Sequence, residues 1–327
     1  MISDIITRDT RREEWDSIRE RLKARIMQTF GTPPVELLPF KNEFKELERY
    51  TANGFLHIKI KYHVFAEEWA YGLLIFPKDF KEGDRAKAVL TIHGTNGAKG
   101  KLGVCDPVNV PRRAYATELA ERGFITFSPD QYGFGEAMND EAERLAVESF
   151  YKRYPNWSLS CRRVLGHIRA LDVLDQLDCV EHSGYGVIGN SLGGQASFYI
   201  AAFDERIKAA VVSTGISPNV TNVYRDLTRK EALEPGVTEY IRKKGKTPWE
   251  LNEMLSLCAP RAVLCLEPFN DPYNPYTSVT IDCIKSAWSV YNLLGRPDAL
   301  SMYIHGDGHD TTDVVRRFAY DWLAKYM

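Results

Sequence analysis

No apolar run in this 327-residue chain approaches the roughly 18 residues that a membrane-crossing helix needs, so no transmembrane segment is expected. An excess of one charge is also missing. The 42 basic and 44 acidic side chains leave a formal net charge of -2, which argues against a polybasic surface for nucleic acid or anionic lipid. Disorder is equally disfavoured, since 44% of residues are hydrophobic and 26% charged. Cysteine is sparse. Cys105, Cys161, Cys179, Cys258, Cys265 and Cys283 are scattered and form no C-x-x-C pair, so reduced, half-buried thiols are expected rather than a disulfide framework or a zinc site. Met1-Ile2-Ser3-Asp4 leads into charge rather than an apolar signal stretch, and the expectation is a cytoplasmic protein. Internal repeats and low-complexity tracts are absent. The length suits one large domain or two small ones, with enough chain for a sizeable core.

What is present begins with a helix. Thr10 and Glu13 have capping-box spacing, Trp15, Ile18, Leu22 and Ile26 recur at helical intervals, and Gly31-Thr32-Pro33-Pro34 stops the run. Residues 1–36 are therefore read as an N-terminal helical arm. Asn53-Gly54 marks a hairpin, after which Leu56, Ile58, Ile60 and Tyr62 alternate with His57, Lys59, Lys61 and His63, placing both histidines on a solvated face. A further strand runs from Trp69 to Phe76.

From there short apolar strands alternate with helices. The strands are 88–92, 123–127, 185–188, 209–212, 261–266 and 300–304, with helices over 113–122, from about 158 to 177, and after Ser191. A last helix carries Val314, Phe318 and Trp322 at i, i+4, i+8. This alternation predicts an α/β fold over 37–327, a mostly parallel sheet with an antiparallel N-terminal hairpin and helices on both faces. Two inserts, about 133–157 and 216–258, interrupt it and carry helices of their own. One start is expected at Thr247-Pro248-Trp249-Glu250, as N-cap, first-turn proline and capping glutamate. Both inserts follow strands and so form a partial cap over the ligand-binding edge.

Gly189-Asn190-Ser191-Leu192-Gly193 matches G-x-S-x-G between a strand and a helix, where a strained turn lifts the serine hydroxyl clear of the sheet. Its helix N-terminus favours developing negative charge. The base is expected at His309, on a glycine-flanked loop between the last strand and last helix. His305, at the strand end, is read as structural. Asp271, a short loop beyond the penultimate strand, is the carboxylate that would orient the imidazole, and Glu267, nearer the strand, stands as the alternative. Oxyanion donors are expected at the backbone N–H groups of Leu192 and Thr95, with His93 shaping the Thr95 turn from below.

Gly94 to Lys101 superficially suits a phosphate loop, but it lacks the G-x-x-x-x-G-K register, and Leu102 stands where the Ser/Thr would be. His305, Asp307, His309 and Asp310 lack the rest of a ligand set, so no metal is expected. Asp130 and Arg261 read as structural. Tyr132, Phe134, Trp157, Tyr224, Trp249, Phe269 and Tyr273 are candidates for pocket walls, against the ordinary alternative that aromatic residues at helical spacing are core.

With these elements in place the chain resembles the α/β-hydrolase superfamily, nearest to its dienelactone-hydrolase-like and acetyl-xylan-esterase-like serine esterases. The resemblance rests on His93-Gly94, Pro129-Asp130 with Gly133-Phe134-Gly135, Arg169 to Asp172, Gly189 to Gly194, Ala259-Pro260-Arg261, Asp271 and Gly308-His309, and it spans roughly 70–327. It implies Ser191 as nucleophile, Asp271 as acid and His309 as base, with no metal or organic cofactor. Two departures stand out. Dienelactone hydrolases use a cysteine where this chain has Ser191, and the oxyanion segment is His93-Gly94-Thr95 rather than a glycine-rich stretch. In related proteins an N-terminal arm packs on the core or on a partner subunit, which keeps a homodimer in view.

The expected activity is hydrolysis of a small or medium carboxylic ester through an acyl-enzyme. The same triad also suits amide, peptide or carbon–carbon cleavage, or acyl transfer if the inserts exclude water. A non-catalytic receptor on this fold is the reading from another class, and an intact Ser/Asp/His set argues against it.

Overall fold

In the computed structural model of the chain, which describes residues 6, 9–34, 43–65, 67–137, 143–222 and 232–327, the sheet starts antiparallel. β1 (Phe44–Ala52) turns through Asn53-Gly54 into β2 (Phe55–Phe65), and β3 (Glu68–Ile75) pairs antiparallel with β2. Then come β4 (Ala88–Ile92), β5 (Ile125–Pro129), β6 (Tyr185–Asn190), β7 (Ile207–Ser213), β8 (Ala262–Pro268) and β9 (Leu300–His305). The sheet order is β1-β2-β3-β5-β4-β6-β7-β8-β9, and β4 through β9 are parallel. β4, β5, β6 and β8 are buried along their whole length, as strands covered on both faces must be. Because these strands run the same way, their carboxyl ends share one edge, where ligands of open α/β sheets sit.

The covering helices are α1 (Trp15–Phe30), α2 (Tyr115–Glu121), α3 (Glu143–Arg153), α4 (Leu159–Leu174), α5 (Leu192–Phe203), α6 (Pro235–Lys244), α7 (Leu251–Cys258), α8 (Thr277–Leu293) and α9 (Asp313–Tyr326). α1 belongs to the main core, with Trp15, Ile18, Leu22, Ile26 and Phe30 all buried in it. Each such side chain contributes roughly 1.5–3 kcal/mol by leaving water. Phe30 packs on Tyr199, Phe203 and Trp249, and the Trp249 indole N–H donates to Thr29 Oγ1 at 2.9 Å. The N-terminal helix thus props the second insert against α5, the helix that follows Ser191.

Four local expectations need correction. The first capping box is formed by Arg11 and Glu14, one residue later than Thr10 and Glu13, and α1 follows it. α7 starts at Leu251 rather than near Thr247, capped by Glu250, which makes a box with Glu253. His57 and His63 are half-buried rather than solvated, because their rings lie on Tyr50 and Trp69. In α9 the Val314 and Phe318 side chains are 44% and 49% exposed, and the buried face carries Val315, Arg316, Ala319, Tyr320 and Leu323. Arg316 can sit inside because it bonds Glu118 at 2.9 Å and the Thr311 carbonyl at 2.7 Å. That paired charge moves the helix's inner face by one position.

Candidate active site

Ser191 follows β6 directly and stands at the start of α5 with φ 59°, a left-handed conformation that a non-glycine residue holds only where its surroundings impose it. Those surroundings can be named. The Ser191 N–H donates to the Ser213 carbonyl at 2.9 Å and to Thr214 Oγ1 at 3.1 Å. Asn190 Nδ2 donates to the same hydroxyl at 2.7 Å and to Ser213 Oγ at 3.2 Å. A Cβ on Gly193 would lie 2.1 Å from the Ile92 carbonyl, so the helix can approach β4 this closely only with glycine there. Thr214, itself at φ 48°, is a residue that sequence reasoning passes over, since its role depends on a backbone conformation that no residue pattern announces.

With its own N–H occupied, Ser191 leaves the next one, on Leu192, as the elbow's candidate donor to substrate. The turn after β4 lies alongside, and a Cβ on Gly94 would touch Ser191 Cβ at 3.4 Å. His93 shapes that turn as expected. Its Nε2 accepts the Gln131 N–H at 3.0 Å, so the proton sits on Nδ1, which donates to the Gly94 carbonyl at 2.7 Å. Burial pushes the His93 pKa down to about 4, and the ring is neutral at physiological pH.

Asp271 and His309 are brought together. Asp271 Oδ2 lies 2.8 Å from His309 Nδ1, and its Oδ1 accepts the Tyr273 N–H at 2.8 Å. Burial opposes ionisation of Asp271, but the His309 ring and the Tyr273 and Asn274 N–H groups outweigh it, leaving the carboxyl below its ordinary range. Tyr273 meets the imidazole edge-to-face at 4.6 Å. From the far side of the loop, Arg113 donates to the His309 carbonyl at 3.1 Å. Glu267 is buried at the end of β8 and makes no bond to His309; burial and then the charge of Asp271 raise it well above the carboxylate range. His305 turns to its own loop, its Nδ1 accepting the Asp307 N–H at 3.3 Å. Asp130 and Arg261 are buried or half-buried anchors, Arg261 donating to the carbonyls of Asp204, Ile207 and Leu257.

The aromatic candidates divide. Phe134, Trp157 and Trp249 are 0%, 2% and 4% exposed. Their rings pack on His93, on Phe65, Phe150 and Tyr154, and on Phe30 respectively, so they are core members rather than open walls. Tyr132 is half-buried under the Arg162 guanidinium. Phe269 and Tyr273 are open, at 65% and 59%, on the loop that carries Asp271. Tyr224 lies outside the described residues. Among the described residues no group of three or more His, Cys, Asp or Glu is arranged to hold a metal ion, and no helix is long and apolar enough to cross a membrane.

Comparison with known proteins places this geometry in context. A family model described as fungal glucuronyl esterase matches residues 113–295, which is 183 of the 327 residues and more than half the chain. A Bacillus subtilis (strain 168) protein, YtaP, whose name carries only a provisional hydrolase designation, is 26% identical over 257 residues, 77% of this chain and 82% of its own. The glucuronoyl esterase from Solibacter usitatus superposes with a TM-score of 0.75 at 15% identity, over 96% of this chain and 94% of that one. A CE15 glucuronoyl esterase from Teredinibacter turnerae gives 0.76 at 16% identity, over 99% and 87%. At these identities the structures establish the α/β-hydrolase fold.

Proposed function

Because the chain belongs to the glucuronyl esterase family, and is thus a serine carboxylic ester hydrolase, we propose that Ser191, His309 and Asp271 are its triad and that the ester it cleaves is one made by the carboxyl group of a sugar acid. The observation that carries the triad is the 2.8 Å bond between His309 Nδ1 and Asp271 Oδ2. It occupies Nδ1 and leaves Nε2 free to take a proton, at the same sheet edge as the Ser191 elbow. The sugar acid rests on the family's description, and the exposed aromatic rim formed by Phe269 and Tyr273 offers apolar ring faces beside the reacting centre.

The chemistry follows from these roles. Ser191 Oγ attacks the ester carbonyl while His309 Nε2 accepts its proton. The tetrahedral oxyanion is stabilised by the N–H groups of Leu192 and Thr95, and His309 returns the proton to the departing alkoxide. Water, deprotonated by the same nitrogen, then attacks the acyl carbon, and the proton passes from His309 to Ser191 Oγ as the acid departs. Asp271 remains ionised throughout, fixing the tautomer and stabilising the imidazolium.

Two substrates test this on one preparation: a 4-nitrophenyl ester series from acetate to octanoate, and a simple alkyl ester of glucuronic acid. Wild type should hydrolyse both, and Ser191→Ala should lose roughly 10⁴-fold or more in kcat on each. Turnover that survives in Ser191→Ala would remove Ser191 from its role. Hydrolysis of the acetate but not of the glucuronate ester would retain the triad and reject the sugar acid.

A further inference from the structure

The turn 93–100 is gripped at both ends by consecutive residues, Asp130 and Gln131, that follow β5. Gln131 holds the near end, donating its N–H to His93 Nε2 at 3.0 Å and its side-chain amide to the His93 carbonyl at 2.5 Å. Asp130 holds the far end. Its Oδ1 accepts the Lys101 backbone N–H at 2.7 Å, and its Oδ2 accepts the Lys101 ammonium at 2.8 Å and the Glu136 N–H at 3.1 Å. Lys101 also bonds Glu136 Oε1, and Glu136 Oε2 lies 2.7 Å from Lys59 Nζ on β2.

Two ammonium groups and two carboxylates make the cluster neutral overall, and the side chains of Lys101 and Asp130 are 6% and 0% exposed. The main chain closes directly on the Asp130 carboxylate. A Cβ on Gly100 or Gly135 would come within 2.2 or 2.3 Å of Oδ1. A buried ion pair is weak evidence for stability, because desolvation consumes most of its attraction. It is a better device for holding two loops in one register, which is what an oxyanion donor needs.

We infer that Lys101, Asp130 and Glu136 form an ionic lock, buried at Lys101 and Asp130, that positions the oxyanion turn against Ser191. They are positioning residues, acting through the backbone between His93 and Lys101. The inference rests on the triad reading above, since it assigns the turn's N–H groups to the transition state.

Its signature is a loss in kcat without a loss in KM, because ground-state binding does not use the oxyanion donors. With 4-nitrophenyl acetate as substrate, Ser191→Ala is measured first. No Ser191-dependent turnover by wild type of either this ester or the alkyl glucuronate would overturn the triad reading and the lock's catalytic purpose with it. Where that turnover exists, Asp130→Asn, which keeps the shape and removes the charge, is expected to lower kcat about tenfold with KM within twofold. Glu136→Gln, at the partly exposed end of the lock, is expected to lower kcat about threefold in the same pattern, and it decides the matter if Asp130→Asn does not fold. A folded variant with kcat within twofold of wild type at Asp130 and unchanged at Glu136, or a loss carried by KM, overturns the proposal while leaving the triad standing.

Discussion

The elbow that presents Ser191 and the two loops that present Asp271 and His309 share a sheet edge, yet different forces hold them. At the elbow, steric fit adds to the hydrogen bonds that Ser191 and Asn190 make to Ser213 and Thr214. Gly193 lies where a methyl group would enter the Ile92 carbonyl, and Ser191 and Thr214 both adopt positive φ. In the loops that carry Asp271 and His309 the constraint is polar. Asn270 donates to the Gly306 carbonyl at 2.8 Å and accepts the Gly308 N–H at 3.0 Å, while Arg112 pairs with Asp310 at 2.8 Å. Phe269 and Tyr273 meanwhile stand open to solvent. One half is therefore fixed by what cannot fit as well as by hydrogen bonds to Ser213 and Thr214, and the other by hydrogen bonds that a side chain can lose without a clash. Chemistry and stability should separate cleanly on one side and fail together on the other.

The sharpest test of that separation is Asp271→Asn. An asparagine amide can still meet His309 Nδ1, but by donating to it, which leaves the proton on Nε2 and prevents that nitrogen from taking the Ser191 proton. The expected outcome is a fall in kcat of about 10⁴-fold with KM nearly unchanged and a melting temperature within a few degrees of wild type. A variant that unfolds instead would show these loops to be as structurally committed as the elbow, and the comparison would fail.

Gly193→Ala probes the other side. The added methyl meets backbone rather than a flexible side chain, so the helix must shift away from β4. About 1–3 kcal/mol of stability or more should disappear, read as a lower urea midpoint at unchanged m-value. Activity is expected to fall with it, because moving α5 moves Ser191 and the Leu192 N–H together. Wild-type stability with lost activity would mean that the elbow yields locally, against the steric account.

The two halves are also unequally legible in the sequence. Steric necessity leaves glycines behind, so the elbow shows in the residue pattern Gly189-Asn190-Ser191-Leu192-Gly193 alone. The parallel alternation around it is readable for the same reason, as buried strands can hold little but apolar residues. Asp271 and His309 can be placed by chain order, and the fold brings their side chains into contact. Contacts set by distant elements cannot be read. Trp157 and Trp249 look like pocket aromatics until Phe65, Phe150 and the N-terminal helix are seen to cover them. The inner face of α9 is misassigned because hydrophobic periodicity does not count an arginine as core, and Arg316 becomes one through partners that include Glu118, 198 residues away. Asp130 can be read as shaping its loop, but not as reaching across to Lys101.

Glu267 lies where the two halves meet, and it offers the finest test of what separates them. It is the penultimate residue of β8, which pairs with β7, the strand whose end carries the elbow's hydrogen-bond partner Ser213, yet it stands four residues before Asp271. Its Oε1 is buried without a hydrogen-bond partner among the described residues, and burial, then the charge of Asp271, hold its pKa well above the ordinary carboxylate value. The sign of the consequence is fixed. Above the unfolded carboxyl pKa of about 4.3, the unfolded chain has released this proton while the folded one retains it. The contribution to stability is then complete below that pH and is lost as pH rises toward the folded value, at roughly 1.4 kcal/mol per pH unit. Glu267→Gln imitates the protonated acid and should remove this slope. Urea unfolding at pH 5, 6, 7 and 8 should therefore show the variant gaining on wild type as pH increases. Its kcat should stay within a few-fold, because Asp271 remains the partner of His309. Parallel stability curves would mean that Glu267 is ionised in the folded protein. A collapse of kcat would make it, rather than Asp271, the acid on which the histidine depends, and would join the two halves that the geometry keeps apart.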